Sequence, residues 1–250
     1  MLNQPTIERL RQMRLSGMAE AFAAQLKDQD IRSLSFEERF GLIVDQEWTC
    51  RQDHRLKRLL RGAKLRLPAC VEDIDYQQPR GLDRSVLHAL AGAGYLRGHQ
   101  NVLVEGPTGV GKTFTACALA NAACRQGFSA RYYRLPRLIS ELTTARGDGS
   151  YPRLLSSLLR VDLLVLDDWG LATLGPGDGR ELLEVIEDRS QTKSTLIASQ
   201  LPVDDWHAAI GDPTVADAIL DRLVHNAHRI TMKGESMRKV KRSQDQTEVS

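Results

Sequence analysis

The chain has 250 residues, of which 42% are hydrophobic and 26% charged, with a formal net charge of +2. This is the profile of a water-soluble globular protein, long enough for one large domain or a principal domain with a smaller attachment. No apolar run reaches bilayer length, and Met1-Leu2-Asn3-Gln4-Pro5 leads into no apolar core, so a cytoplasmic protein without an export signal is expected.

Residues 1–66 read as a helical domain. Ile7, Leu10, Met13 and Met18 through Leu26 suggest a first amphipathic helix. Ser35-Phe36-Glu37-Glu38 is a capping box. From there Phe36, Phe40, Ile43, Val44 and Trp48 recur at helical spacing. Continued through Arg61, the helix puts Leu56, Leu59, Leu60 and Ala63 on one stripe. Arg51, Arg55 and Arg58 flank that stripe on one side, and Lys57, Arg61 and Lys64 on the other. A dry seam with two basic edges suits docking while facing phosphates, and it equally suits a plain surface helix. A second basic run, Arg238-Lys239-Val240-Lys241-Arg242, lies near the C-terminus.

Residues 67–81, which contain Pro68 and end at Gly81, read as a linker. A short helix over 83–91 follows, and then strands alternate with helices. The expected strands are Val102–Glu105, Ala130–Arg134, Asp162–Asp167, Thr195–Ser199 and Arg229–Met232. That alternation predicts an α/β domain over 82–242 with a five-stranded, mostly parallel sheet. Residues 243–250 read as a disordered tail. Cys50, Cys70, Cys117 and Cys124 form no C-x-x-C pair and read as free thiols. His225 and His228 have no third ligand at a metal-binding spacing.

Gly106-Pro107-Thr108-Gly109-Val110-Gly111-Lys112-Thr113 fits the phosphate-binding pattern G-x-x-x-x-G-K-[ST]. The glycines let backbone N–H groups turn toward phosphate oxygens, Lys112 can reach the β- and γ-phosphates, and the Thr113 hydroxyl can ligate Mg²⁺. The strand before the loop and the helix after it are the setting the pattern requires. Leu163-Leu164-Val165-Leu166-Asp167-Asp168 is the partner motif. There Asp167 would hold Mg²⁺, directly or through water, and Asp168 could polarise the attacking water. A strand falls between the two motifs, as in the additional-strand branch of P-loop ATPases, and no guanine-reading N-K-x-D is present. Ser199 and Gln200 end the fourth strand, where a polar residue can sense the γ-phosphate. Arg222 reads either as a residue reaching a neighbouring subunit's nucleotide or as a helix-surface arginine.

Taken together, these features resemble the IstB-type ATPases, the AAA+ helper proteins encoded beside the transposase of certain insertion sequences and related to DnaC-type helicase loaders. The likeness runs from about Leu15 to Lys239. It includes Ala63 to Pro68, the P-loop, Leu163 to Gly170, Ser199 to Asp204, and the string from Ile210 through Asp221-Arg222-Leu223 and Lys233-Gly234-Glu235-Ser236 to Lys239. The resemblance implies an AAA+ P-loop NTPase core with a small N-terminal helical domain. It also implies ATP-dependent self-assembly on duplex DNA and cooperation with a transposase. By position, Lys112 and Thr113 bind phosphate and Mg²⁺, Asp168 is the catalytic acid, Ser199 and Gln200 form the first sensor, Arg222 is the arginine finger and Arg238 a second sensor. Asp168 stands where the wider AAA+ pattern has Glu, one methylene longer. The tail after Met232 leaves no room for a C-terminal lid domain. DNA contacts are expected from Arg51, Arg55, Lys57, Arg58, Arg61 and Lys64, mostly to phosphates. The alternatives are a replicative helicase loader, which shares the core, and a monomeric small-molecule kinase.

Overall fold

The computed structural model describes residues 3–28, 30–175 and 177–237. The chain divides into two compact units, Met1–Arg58 and Leu59–Ser250, so the division falls inside a helix.

In the first unit, α1 (Asn3–Gln12) and α2 (Ser16–Gln25) are followed by α3 (Phe36–Ala63). The single first helix expected from the sequence is thus two. The chain breaks at Arg14, which takes a left-handed φ of 60°, and Leu15 N–H donates back to Leu10 O at 2.9 Å. Gly17 lets α2 meet α3 closely, because a Cβ there would lie 2.8 Å from Glu47 Cα. The buried Glu47 carboxylate accepts Met18 N–H at 3.1 Å and Arg51 Nε–H at 2.7 Å. The capping box forms as expected, with Ser35 N–H on Glu38 Oε2 at 2.8 Å and Glu38 N–H on Ser35 Oγ at 3.2 Å. The bond from the Ser35 backbone, then that from its hydroxyl, holds the Glu38 carboxyl below its usual range. The periodic apolar positions of α3 do not form a buried stripe in this unit. Ile43 is buried, while Phe36 and Trp48 are 67% and 65% exposed.

The second unit contains α4 (Arg84–Ala91), α5 (Gly94–Arg97), β1 (Asn101–Glu105), α6 (Lys112–Arg125), β2 (Ala130–Arg134), α7 (Leu135–Asp148), α8 (Tyr151–Arg160), β3 (Leu163–Trp169), α9 (Asp178–Arg189), β4 (Ser194–Ser199), α10 (Trp206–Ile210), α11 (Pro213–Val224) and β5 (Ala227–Thr231). Asp83 caps α4 by accepting Ser85 N–H at 2.7 Å. The five strands form one sheet in the order β2-β3-β4-β1-β5, every pair parallel. With β4 between β1 and β3, the two phosphate-site strands are not neighbours. The strand expected between the two motifs in the sequence, Ala130–Arg134, is β2 at the sheet's edge, and the strand that separates β1 from β3 in space is β4.

Parallel strands covered on both faces read as continuous apolar runs, and β3 and β4 are buried along nearly their whole length. Leu103, Leu164, Leu166 and Ile197 meet Leu138 and Leu142 of α7, Leu158 of α8, Leu182 and Ile186 of α9, and Ile219 and Leu223 of α11 in one core. The alanine-rich α6 packs against β2, β3 and β4, and small side chains let it bury almost all round. The segment expected as a linker belongs to this unit, where Ala69, Val71, Ile74 and Arg80 are buried. Past β5, Lys233 N–H donates to Arg80 O at 2.8 Å, and Met237 N–H donates to Gly109 O at 3.0 Å. The described residues after β5 therefore fold back on the P-loop and build no helical lid. Residues 243–250 lie outside the described residues.

Arg189 is 1% exposed and ties the sheet's amino-terminal end together. Its guanidinium donates to the carbonyls of Leu158, Val161 and Ser194. Burial pushes its pKa down to about 10, still charged at neutral pH. Arg189→Leu strands those buried carbonyls without donors, so it is expected to cost about 3 kcal/mol, measured as a lower urea midpoint with unchanged slope.

Candidate nucleotide site

The P-loop spans the gap between the end of β1 and the start of α6. Gly106, Gly109 and Gly111 have φ of 147°, 89° and 109°, a region that L side chains rarely adopt. Space closes off alternatives as well. A Cβ at Gly106 would lie 2.3 Å from Met232 O, one at Gly109 would lie 2.2 Å from Ser236 Oγ, and one at Gly111 would lie 2.8 Å from Arg80 Nη1. The loop is thus held between the segment after β5 and the buried Arg80, whose Nη1 donates to Val110 O at 2.9 Å.

A cavity of about 360 Å³ opens at this end of the sheet, lined by Thr108, Lys112, Thr113, Asp167, Asp168 and Gln200, with Arg66 and Arg134 at its edge. Lys112 Nζ donates to the carbonyls of Gly106 and Pro107 at 2.7 and 2.8 Å. Burial lowers its pKa, opposed by the charges of Asp167 and Asp168. Thr113 Oγ1 donates to Asp167 Oδ2 at 2.8 Å. A hydroxyl beside a carboxylate is a hard-oxygen donor set that suits Mg²⁺, and the glycine cradle next to it suits a triphosphate. The residues therefore fit both groups. Among the described residues no cluster of three or more His, Cys, Asp or Glu has metal-holding geometry.

Asp167 also accepts the Tyr132 hydroxyl on Oδ2 at 2.6 Å and the Asp168 N–H on Oδ1 at 2.9 Å. Burial, then the bond to this carboxylate, raises the Tyr132 pKa. Asp168 takes a left-handed φ of 60° and pairs with Arg134 Nε at 2.5 Å, with Arg66 Nη1 at 3.8 Å. The Tyr132 hydroxyl, ahead of Asp168 and Asp167, raises the Arg66 pKa.

The two first-sensor residues part company. Gln200 reaches the cavity and its Oε1 accepts Thr108 Oγ1 at 2.7 Å. Ser199 is fully buried and does not line the cavity. It donates to Trp169 O at 3.1 Å and accepts Leu201 N–H at 3.0 Å and Trp206 Nε1–H at 3.1 Å. With its bonding capacity spent on the fold, Ser199 is a structural residue, and the expectation for it is corrected.

Arg222 lies at the other end of the sheet. Its carbonyl accepts Asn101 Nδ2 at 3.1 Å, at the start of β1. The P-loop begins where β1 finishes, about 16 Å away at the rise of a strand, farther than an arginine side chain reaches. Arg222 Nη2 bonds Glu187 Oε1 at 2.6 Å. Arg51, Arg55, Lys57, Arg58, Arg61 and Lys64 are all exposed. Arg238 lies outside the described residues, as does the run 238–242. His225 pairs with Asp221 and His228 with Gln100, so the two do not act together.

Arg66, Arg80, Tyr132 and Arg134 are the residues of the site that sequence reasoning did not assign. Arg66 stands in the Ala63–Pro68 string that the resemblance noted. Tyr132 and Arg134 lie on a strand whose pairing with β3 becomes known only once the sheet order is known.

A triphosphate-shaped cradle, an acidic β3 end and the strand order 2-3-4-1-5 define a P-loop nucleotide-binding protein of the AAA+ class. The solved DnaC helicase loader superposes with a TM-score of 0.57 at 20% identity, covering 68% of this chain and all of the loader. The family model of the IstB-like ATP binding proteins matches residues 8–245, and the chain belongs to that family. An insertion sequence ATP-binding protein of Sinorhizobium fredii is 50% identical over 97% of this chain and 99% of its own length. The ATP-binding protein of insertion sequence IS1162 from Pseudomonas fluorescens is 50% identical over 81% of this chain and 88% of its own.

Gly106→Ala is expected to weaken ATP affinity at least tenfold and to destabilise the fold by about 2 kcal/mol, since its Cβ meets a backbone carbonyl. Titration with a fluorescent ATP analogue and a urea melt measure the two effects separately.

Proposed function

We propose that this protein is an ATP-hydrolysing assembly factor of DNA transposition. With ATP and Mg²⁺ it would form a ring or spiral of like subunits on duplex DNA, regulate its transposase in choosing or reaching a target, and come apart on hydrolysis in the cytoplasm. The observation that carries this reading is the separation of the site's parts. The phosphate-binding residues lie at the carboxyl ends of the strands and Arg222 at the amino ends. An Arg222 that serves a nucleotide must therefore serve a neighbour's. The names of the insertion-sequence relatives support the transposition setting.

Lys112 would bind the β- and γ-phosphates, Gly106 to Gly111 would donate backbone N–H groups, and Thr113 with Asp167 would hold Mg²⁺. When bound, Mg²⁺ offsets phosphate charge. Asp168 would orient and deprotonate the attacking water, and Gln200 would report on the γ-phosphate from its place beside Thr108. Arg222 from the next subunit would stabilise charge on the transferring group. Residues 1–66, with Arg51, Arg55, Lys57, Arg58, Arg61 and Lys64, would contact duplex phosphates or the partner. Residues 67–81, packed within the second unit, would join them to the ATPase domain over 82–242, and Arg238 would act as a second sensor. The inserted strand β4 disfavours the kinase reading.

Light scattering with a duplex of roughly 60 base pairs, about six helical turns, tests the assembly. A large complex is expected only with ATP and duplex together, and Lys112→Ala should remain monomeric in every condition. A wild-type monomer throughout, or assembly of Lys112→Ala equal to wild type, would remove the mechanism.

A further inference from the structure

β2 is the free edge of the sheet on one side, and its flank is unusually basic. A cavity of about 340 Å³ is lined by Lys64, Arg66, Arg131, Arg134 and Arg137, with Glu141 the one acid. Glu141 is already engaged by Arg137 Nε at 3.1 Å. Among the described residues Lys64 and Arg131 have no carboxylate partner. Arg131 is held in place by uncharged groups. Its Nη1 donates to Gly62 O at 3.2 Å, its Nη2 to the Tyr133 hydroxyl at 3.3 Å, and its guanidinium lies 5.3 Å from the Tyr133 ring centre. These contacts fix its position and leave its charge unneutralised.

Lys64 and Arg131 thus carry charge that no carboxylate of the described residues offsets, beside three arginines whose carboxylate partners are shared or exposed, and such a surface attracts a polyanion. Both aromatic rings of the cavity, Tyr132 and Tyr133, are buried at 8% and 6% exposure. They offer no face on which an unpaired base could stack. That favours a duplex backbone, which presents one negative charge per roughly 1.7 Å of helix axis, over a single strand.

Arg66 and Arg134 line this cavity and the nucleotide cavity alike, and both face the Asp168 carboxylate. We propose that the β2 edge is a second contact site for duplex phosphates, and that DNA seated there competes with Asp168 for Arg66 and Arg134. Drawing the arginines outward loosens their hold on the acid that faces the lytic water, so duplex DNA accelerates ATP turnover through this edge. The proposal rests on the DNA-binding ATPase reading above and adds to it a location and a means of regulation.

The test uses the full chain carrying Arg131→Glu and Arg137→Glu together, neither of which lines the nucleotide cavity. The probes are a 60-base-pair duplex and a single strand of the same length. Expected are a loss of duplex affinity of about tenfold or more, a log–log salt slope smaller by about 2, and loss of DNA-stimulated turnover. Affinity for an ATP analogue and turnover without DNA should stay at wild-type values, while the melting temperature falls because the Arg131 contacts and the Arg137–Glu141 pair are lost. Arg131→Lys with Arg137→Lys should restore duplex binding. Wild-type duplex affinity and salt slope in the Glu variant would overturn the site alone. Preference for the single strand would overturn the choice of occupant. Undiminished DNA stimulation in a variant that binds duplex weakly would overturn the coupling to Asp168. A wild-type protein that binds no DNA in any nucleotide state would overturn this proposal together with the function it rests on.

Discussion

The Asp167 carboxylate is where the nucleotide half of the molecule is joined. It is 2% exposed and would be costly to keep charged without partners. Three arrive from three elements: the Thr113 hydroxyl from α6, the Tyr132 hydroxyl from β2 and the backbone N–H of Asp168 at the end of β3. Each depends on the sheet. Tyr132 reaches Asp167 because β2 and β3 pair with Tyr132 opposite Val165 and Arg134 opposite Asp167. A slip of one residue would turn Tyr132 to the other face and bring a different side chain to the carboxylate. The left-handed turn at Asp168 then sends the second acid toward Arg134 and Arg66, so one strand end presents two carboxylates to two different environments.

The P-loop is braced from both flanks by segments outside the motif. Arg80 holds Val110 from the chain before β1, and residues 232–237 lie against Gly106 and Gly109 from the chain after β5. Phosphates belong at the carboxyl ends of parallel strands, while Asn101 fixes Arg222 at the amino ends. If Arg222 serves a neighbour's nucleotide, as proposed, the subunits would associate head to tail. Such contacts generate rings when the rotation closes and helical filaments when it does not.

Much of this was legible in the sequence because the signals are local. The glycine spacing, the apolar β3 run ending in acids and the capping box at Ser35 each need only neighbouring residues. β2 was placed at its observed bounds for the same reason. The losses came where a side chain's role depends on distant packing. Ser199 and Gln200 are equally polar, yet the buried indole of Trp206 takes the Ser199 hydroxyl, and only Gln200 remains for the cavity. Phe36 and Trp48 recur at core spacing on α3 and stand exposed, because periodicity shows that a face exists and not what covers it. Arg80 sat in a segment that looked like a linker, and only the close approach of Gly111 reveals why a large cation belongs there.

The central claim is that one subunit's Arg222 completes another's site, and mixing two inactive variants tests it most directly. Lys112→Ala keeps Arg222 but lacks phosphate binding, and Arg222→Ala has the reverse defect. With ATP and duplex DNA each should be inactive alone, and turnover should return on mixing, with a maximum near equal amounts. No recovery at any ratio, or normal turnover by Arg222→Ala alone, would contradict the account.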